Sequence, residues 1–143
     1  MITQSTDDIR DQNLELVRRF YTLAFVEHDL ERAGSLMAPD YMLHDPTLES
    51  GQLSGIDAWK RLQGSYFQMI PNHQLTIQDQ IADSNKVVTR WCAKGTEGGS
   101  NFDVTGITIT RIQDGQIAEE WQDWDAEGLY RQMGQTPDRR KTA

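Results

Sequence analysis

Apolar residues recur every three or four positions in the first half of the chain and every second position in the second half. From about Asp11 to Glu27, Leu14, Val17, Phe20, Tyr21, Ala24 and Phe25 share one helical face, with polar residues between them. A second, shorter helix is expected after Asp29, a suitable N-cap, with Leu30, Ala33, Leu36 and Met37 as its stripe and Pro39 as its stop. Tyr41 to Pro46 reads as a short strand and Thr47 to Gly55 as a loop. A third helix is expected from Ile56 to Met69, capped by Ser54 and closed by Pro71. Ile56, Trp59, Leu62, Tyr66 and Met69 form its stripe, and Asp57 lies in its first turn, where the helix dipole favours an acid.

After Pro71 the period falls to two. Leu75, Ile77 and Ile81 mark one strand, and Val87 to Thr96 the next, with Asp83-Ser84-Asn85-Lys86 as the turn. Gly98-Gly99 sits in a turn before a third strand, Phe102 to Ile112. Asp114-Gly115 is a strong hairpin signal leading to a last strand, Ile117 to about Asp125. Leu129, Tyr130 and Met133 suggest a short terminal helix. Helices followed by an antiparallel meander mean α+β architecture in one domain. There is no internal repeat and no low-complexity tract.

Composition narrows the function classes. The chain has 143 residues and a formal net charge of −8, which disfavours binding to nucleic acid. Arg139-Arg140-Lys141 is a basic cluster at the C-terminus, read as a solvated tail. The single cysteine, Cys92, forms no intrachain disulfide and lies in an apolar run. No stretch is long and apolar enough for a membrane helix, and the polar N-terminus has no signal-peptide core. A cytoplasmic protein is the expectation.

Four stretches carry a family resemblance. They are Val17-Arg18-Arg19-Phe20-Tyr21; His44-Asp45-Pro46; Val87-Val88-Thr89-Arg90-Trp91 with Lys94-Gly95-Thr96; and Arg111 through Trp121, then Asp125 and Gly128-Leu129. In order and spacing the chain resembles the SnoaL-like polyketide cyclases, within the group sharing the nuclear transport factor 2 fold, from about Asn13 to Gly134. The resemblance implies a cone-shaped α+β barrel, with three helices packed on a curved antiparallel sheet around an apolar pocket. It implies a homodimer built sheet to sheet. For some members it implies an intramolecular aldol ring closure of a polyketide ester, without metal or cofactor. Family cyclases pair an aspartate on the last strand with a histidine on a neighbouring strand of the meander. Here the histidines are His28, His44 and His73, and none follows residue 73.

Candidate chemistry follows from strand alternation. Placing Trp121 towards the pocket brings Asp123 and Asp125 to the same side, if no bulge intervenes. A carboxylate in an apolar cavity has a raised pKa and can take a proton from the carbon beside a carbonyl. Asp125 is equally suited to cap the terminal helix. His44, at the end of the first strand, can act as a base, donate to a carbonyl, or hold a loop. His28 and His73 read as surface residues. Arg111 or Arg90 can stabilise an enolate oxygen. Trp59, Tyr66, Trp91, Trp121 and Tyr21 are candidate walls. No HxH or HxxxH spacing supports a metal site. Two classes stand at this point, an acid-base enzyme for an apolar carbonyl compound and a binding protein for a small hydrophobic metabolite. A third, a protein-interaction domain, has no exposed apolar motif in its favour.

Overall fold

The computed structural model describes residues 5–97 and 100–134. The Gly98-Gly99 turn and the C-terminal basic cluster lie outside the described residues. Helix α1 (Thr6–Tyr21) is capped by Ser5 and continues as a π-helical turn over Thr22–Val26. Its stripe turns inward, with Val17, Phe20 and Ala24 fully buried and Leu14 and Phe25 half-buried. Helix α2 (Leu30–Gly34) is capped by Asp29, as expected, but it ends early. Leu36 and Met37 are not part of it, and Met37 opens strand β1 (Met37–His44). Pro39 falls in β1 rather than stopping a helix.

The expected loop contains a further strand, β2 (Gln52–Ser54), which forms a hairpin with β1. Helix α3 (Ile56–Met69) starts from Gly55, not Ser54, and this glycine has φ 94°. That conformation suits a residue without Cβ. The meander is β3 (Gln74–Asp83), β4 (Lys86–Glu97), β5 (Ser100–Gln113) and β6 (Gln116–Trp124), followed by α4 (Ala126–Gln132).

The sheet order is β2-β1-β6-β5-β4-β3, with β1 parallel to β6 and every other pair antiparallel. The edges β2 and β3 do not pair, so the curved sheet stays open and the helices close it. Fold class is α+β, as the periodicity implies. The core lies between the concave sheet face and α1 and α3, with Phe20 and Trp59 in contact at its centre (ring centroids 5.3 Å apart). No described helix is long and apolar enough to cross a membrane.

Candidate active site

An apolar cavity opens between the concave sheet face and the helices. Trp91, Phe102 and Trp124 wall it on the sheet side, and Tyr21, Phe25 and Tyr66 on the helical side. About 80 Å³ of it is open to the centre of a water molecule, several times the ~10–15 Å³ one water needs. Trp91 can lie flat on the sheet because Gly106 stands opposite it on β5. A Cβ on Gly106 would come within 2.2 Å of the indole.

The inward face of β6 is the opposite of the one expected. Ile112 pairs with Ile117 and Arg111 with Glu119, so Ala118 is an extra residue, a bulge. The bulge keeps Ile117 in the core and then turns Glu120, Gln122 and Trp124 inward. Trp121 and Asp123 therefore face away from the cavity. The spacing of Ile117 and Trp121 suggested one face, and a single bulged residue separates them.

Gln122 and Trp124 are held by Asp45, which follows β1 and is 1% exposed. Its Oδ2 accepts from Gln122 Nε2 (3.1 Å) and Trp124 Nε1 (3.1 Å). Its Oδ1 accepts from the Thr47 backbone N–H (2.8 Å) and Oγ1 (2.7 Å). Gln122 Oε1 accepts from Thr108 Oγ1 (3.2 Å), which in turn accepts from Trp91 Nε1 (3.0 Å). This hydrogen-bonded chain fixes both indole walls. Deeper in the cone, Glu120 is buried and accepts from Tyr41 Oη (2.8 Å) and Thr110 Oγ1 (2.7 Å). Burial pushes its carboxyl above the usual carboxylate range, and the two hydroxyls partly offset this. Burial, then the charge of Glu120, raises the Tyr21 phenol well above its ordinary value.

The helical end is different. His73, expected at the surface, lines the cavity. It stands just before β3, against Phe67 (centroids 5.6 Å apart). Its carbonyl meets His28 Nε2 at 2.6 Å, and His28 is half-buried and stacked on Phe67 at 4.0 Å. His73 Nδ1 is buried with no hydrogen-bond partner among the described residues. Burial, then the nearby His28, lowers its pKa to about 4, so the ring is neutral at pH 7. Tyr66 is pushed up to about 12, chiefly by burial and then by the charge of Asp45, so it keeps its proton. Gln63, one α3 turn before Tyr66, also lines the cavity and is 7% exposed.

Of the residues singled out from sequence, Tyr21, Tyr66 and Trp91 line the cavity, and Trp59 is sealed in the core beside it. Asp125 caps α4 by accepting from Gly128 N–H (2.9 Å), and Asp123 is exposed. His44, Arg111 and Trp121 gather on the outer sheet face. There His44 Nε2 meets Glu119 Oε2 at 2.6 Å and its ring stacks on Trp121 (5.4 Å), while Arg111 Nε meets Glu119 Oε1 at 3.1 Å. The hydrogen bond from His44, helped by Arg111, holds the Glu119 carboxyl below its ordinary range. Arg90 is exposed and donates to Gln78 Oε1 (2.9 Å). Sequence reasoning missed Gln63, Gln122 and Trp124 as lining residues. The inward parity of Gln122 was readable only with the bulge known, whereas Gln63 lies four residues after Trp59 and offered a helical signal.

The family model described as SnoaL-like polyketide cyclase matches residues 15–133. Among solved structures, IdmH of Streptomyces antibioticus, described as a candidate polyketide cyclase, is 27% identical, with a TM-score of 0.77 over 86% of this chain and 99% of that one. A candidate polyketide cyclase from Bacillus cereus is 25% identical, with a TM-score of 0.77 over 88% and 83%. A Catenulispora acidiphila protein of ketosteroid isomerase-like fold, in complex with trimethylamine, is 20% identical, with a TM-score of 0.73 over 85% and 93%. That last likeness speaks for the fold alone. No curated protein matches the chain.

Proposed function

The chain belongs to the SnoaL-like polyketide cyclase family, and we propose that it is a cyclase-type enzyme moving a proton beside a carbonyl of an apolar substrate held in the cavity. The observation that carries this reading is His73, a neutral imidazole lining a largely apolar chamber. A neutral imidazole offers a lone pair that can take a proton from the carbon next to a carbonyl. The enolate so formed attacks a second carbonyl of the same substrate, closing a ring, and the alkoxide takes the proton back from the imidazolium. A base of pKa about 4 is weak and returns the proton readily, so the reading calls for an acidic carbon, as between two carbonyls. The Tyr66 hydroxyl, held protonated, is the donor available to the developing oxyanion. Because Asp123 and Asp125 lie outside the cavity, the base in this proposal is His73 and not either aspartate.

The test is turnover of a panel of polyketide esters and terpenoid carbonyl compounds, read by mass spectrometry. His73→Gln should lower the rate by ~10²-fold or more, and Tyr66→Phe by less. Full turnover in His73→Gln sinks the proposal. The second reading, a binding protein, is favoured by the sheet wall, whose polar groups are committed to one another. Retention of an unchanged ligand by wild type and both variants would establish it.

The outer sheet face supports a second copy of this chain as partner. Ile81, Val88, Ile109, Trp121 and His44 stand directly opposite one another across five strands. Ile81 is 65% exposed and neighbouring Ile107 is 48% exposed. Rows of both charges flank this stripe, Lys86-Arg111-Glu119 on one side and Arg90 with Asp123 on the other. Such a face complements itself about a two-fold axis. Light scattering should give the mass of a dimer, and a monomer at all working concentrations removes the reading.

A further inference from the structure

Two glutamines bring the same carboxamide to the cavity. Gln122 has its oxygen and nitrogen engaged by Thr108 and Asp45. Gln63 is 7% exposed and lines the same cavity, yet its carboxamide has no hydrogen-bond partner among the described residues. It lies on the buried face of α3, four residues after Trp59, three before Tyr66 and seven before Ile70, where an apolar side chain would continue the stripe. Its carboxamide atoms keep some accessible surface, yet a mostly buried amide without a protein partner costs more than a leucine of similar length would.

We propose that Gln63 recognises the polar edge of the ligand, and that it selects a ligand with a hydrogen-bond donor and an acceptor side by side. A carboxamide presents one C=O acceptor and N–H donors in one plane, so its best partner is a planar group presenting the reverse pair. Amides, lactams and enolised β-dicarbonyls share that chemistry. Their apolar remainder would lie between Tyr66 and the indoles of Trp91 and Trp124. Gln63 acts here as a specificity-determining residue. The inference rests on the cavity being the ligand site, and it is independent of any chemistry at His73.

Three probes of nearly equal shape separate the possibilities by titration calorimetry. Benzamide offers both a donor and an acceptor, acetophenone an acceptor alone, and isopropylbenzene neither. Wild type should bind benzamide most tightly. Gln63→Leu should weaken benzamide ~10-fold or more, the loss expected from two hydrogen bonds, weaken acetophenone less, and leave isopropylbenzene equal or tighter. The ligand-free variant should melt at the same temperature or higher, because an unpartnered amide has been removed. Equal benzamide affinity in wild type and variant overturns the proposal, and so does a lower melting temperature, which would assign Gln63 a structural partner. Benzamide binding is read without any turnover, so failure of the catalytic reading at His73 and failure of this one remain distinct.

Discussion

The sheet wall and the helical end of the cavity handle their polar groups differently. On the sheet wall every polar atom that reaches inward is answered. Asp45 accepts four hydrogen bonds, and through Gln122 and Thr108 it secures both Trp124 and Trp91. At the helical end, His73 Nδ1 and the Gln63 carboxamide have no partner among the described residues. A satisfied buried network is rigid and gives walls a fixed shape. Polar groups left without a protein partner cost the fold free energy and keep their hydrogen-bonding capacity for a ligand. The difference separates the part of the cavity that sets shape from the part where chemistry and recognition are proposed.

The largest effect that tests this contrast is loss of the anchor. Asp45→Ala leaves the Gln122 amide, the Trp124 indole N–H and two Thr47 donors without their acceptor. Unfolding in urea should show a loss of about 3 kcal/mol or more. A loss under about 1 kcal/mol would mean that the network does not hold the wall.

A smaller effect comes from the other end. His73 titrates at about 4 in the folded protein against 6.5 ordinarily. Between these values the unfolded chain binds a proton that the native state refuses, so stability falls as pH falls through this window. The buried Glu120 carboxyl has the opposite sign. Its pKa is raised in the fold, so its contribution is present at low pH and is lost as pH rises through the raised value. Melting temperatures measured from pH 7 to 4 should drop less steeply in His73→Leu than in wild type. Parallel curves would mean that His73 is solvated and charged in the native state.

Much of the architecture was legible in the chain. The change from helical spacing to alternation at Pro71 places the three helical segments before the meander, and Asp114-Gly115 marks the β5–β6 hairpin, where both residues have positive φ. These features are local, because a helical face or a two-residue turn is decided within a few residues. Strand β1 was harder to bound, since Met37 and Pro39 belong to it only through parallel pairing with β6, eighty positions away at Met37↔Ile117.

The site was less legible. Tyr21, Tyr66 and Trp91 stand at the cavity because large aromatics on a buried face have few other places to go. His73 looked exposed in its post-proline loop, and only the packing of Phe67 and His28 against it shows its burial. Alternation by itself determined that β6 has two faces, one carrying Trp121 and Asp123 and the other Gln122 and Trp124. Which of them lines the cavity was decided by the bulge at Ala118, a feature of pairing with β5. One extra residue reverses every later side chain on a strand, and its cost or gain is settled by the partner strand rather than by the residue itself.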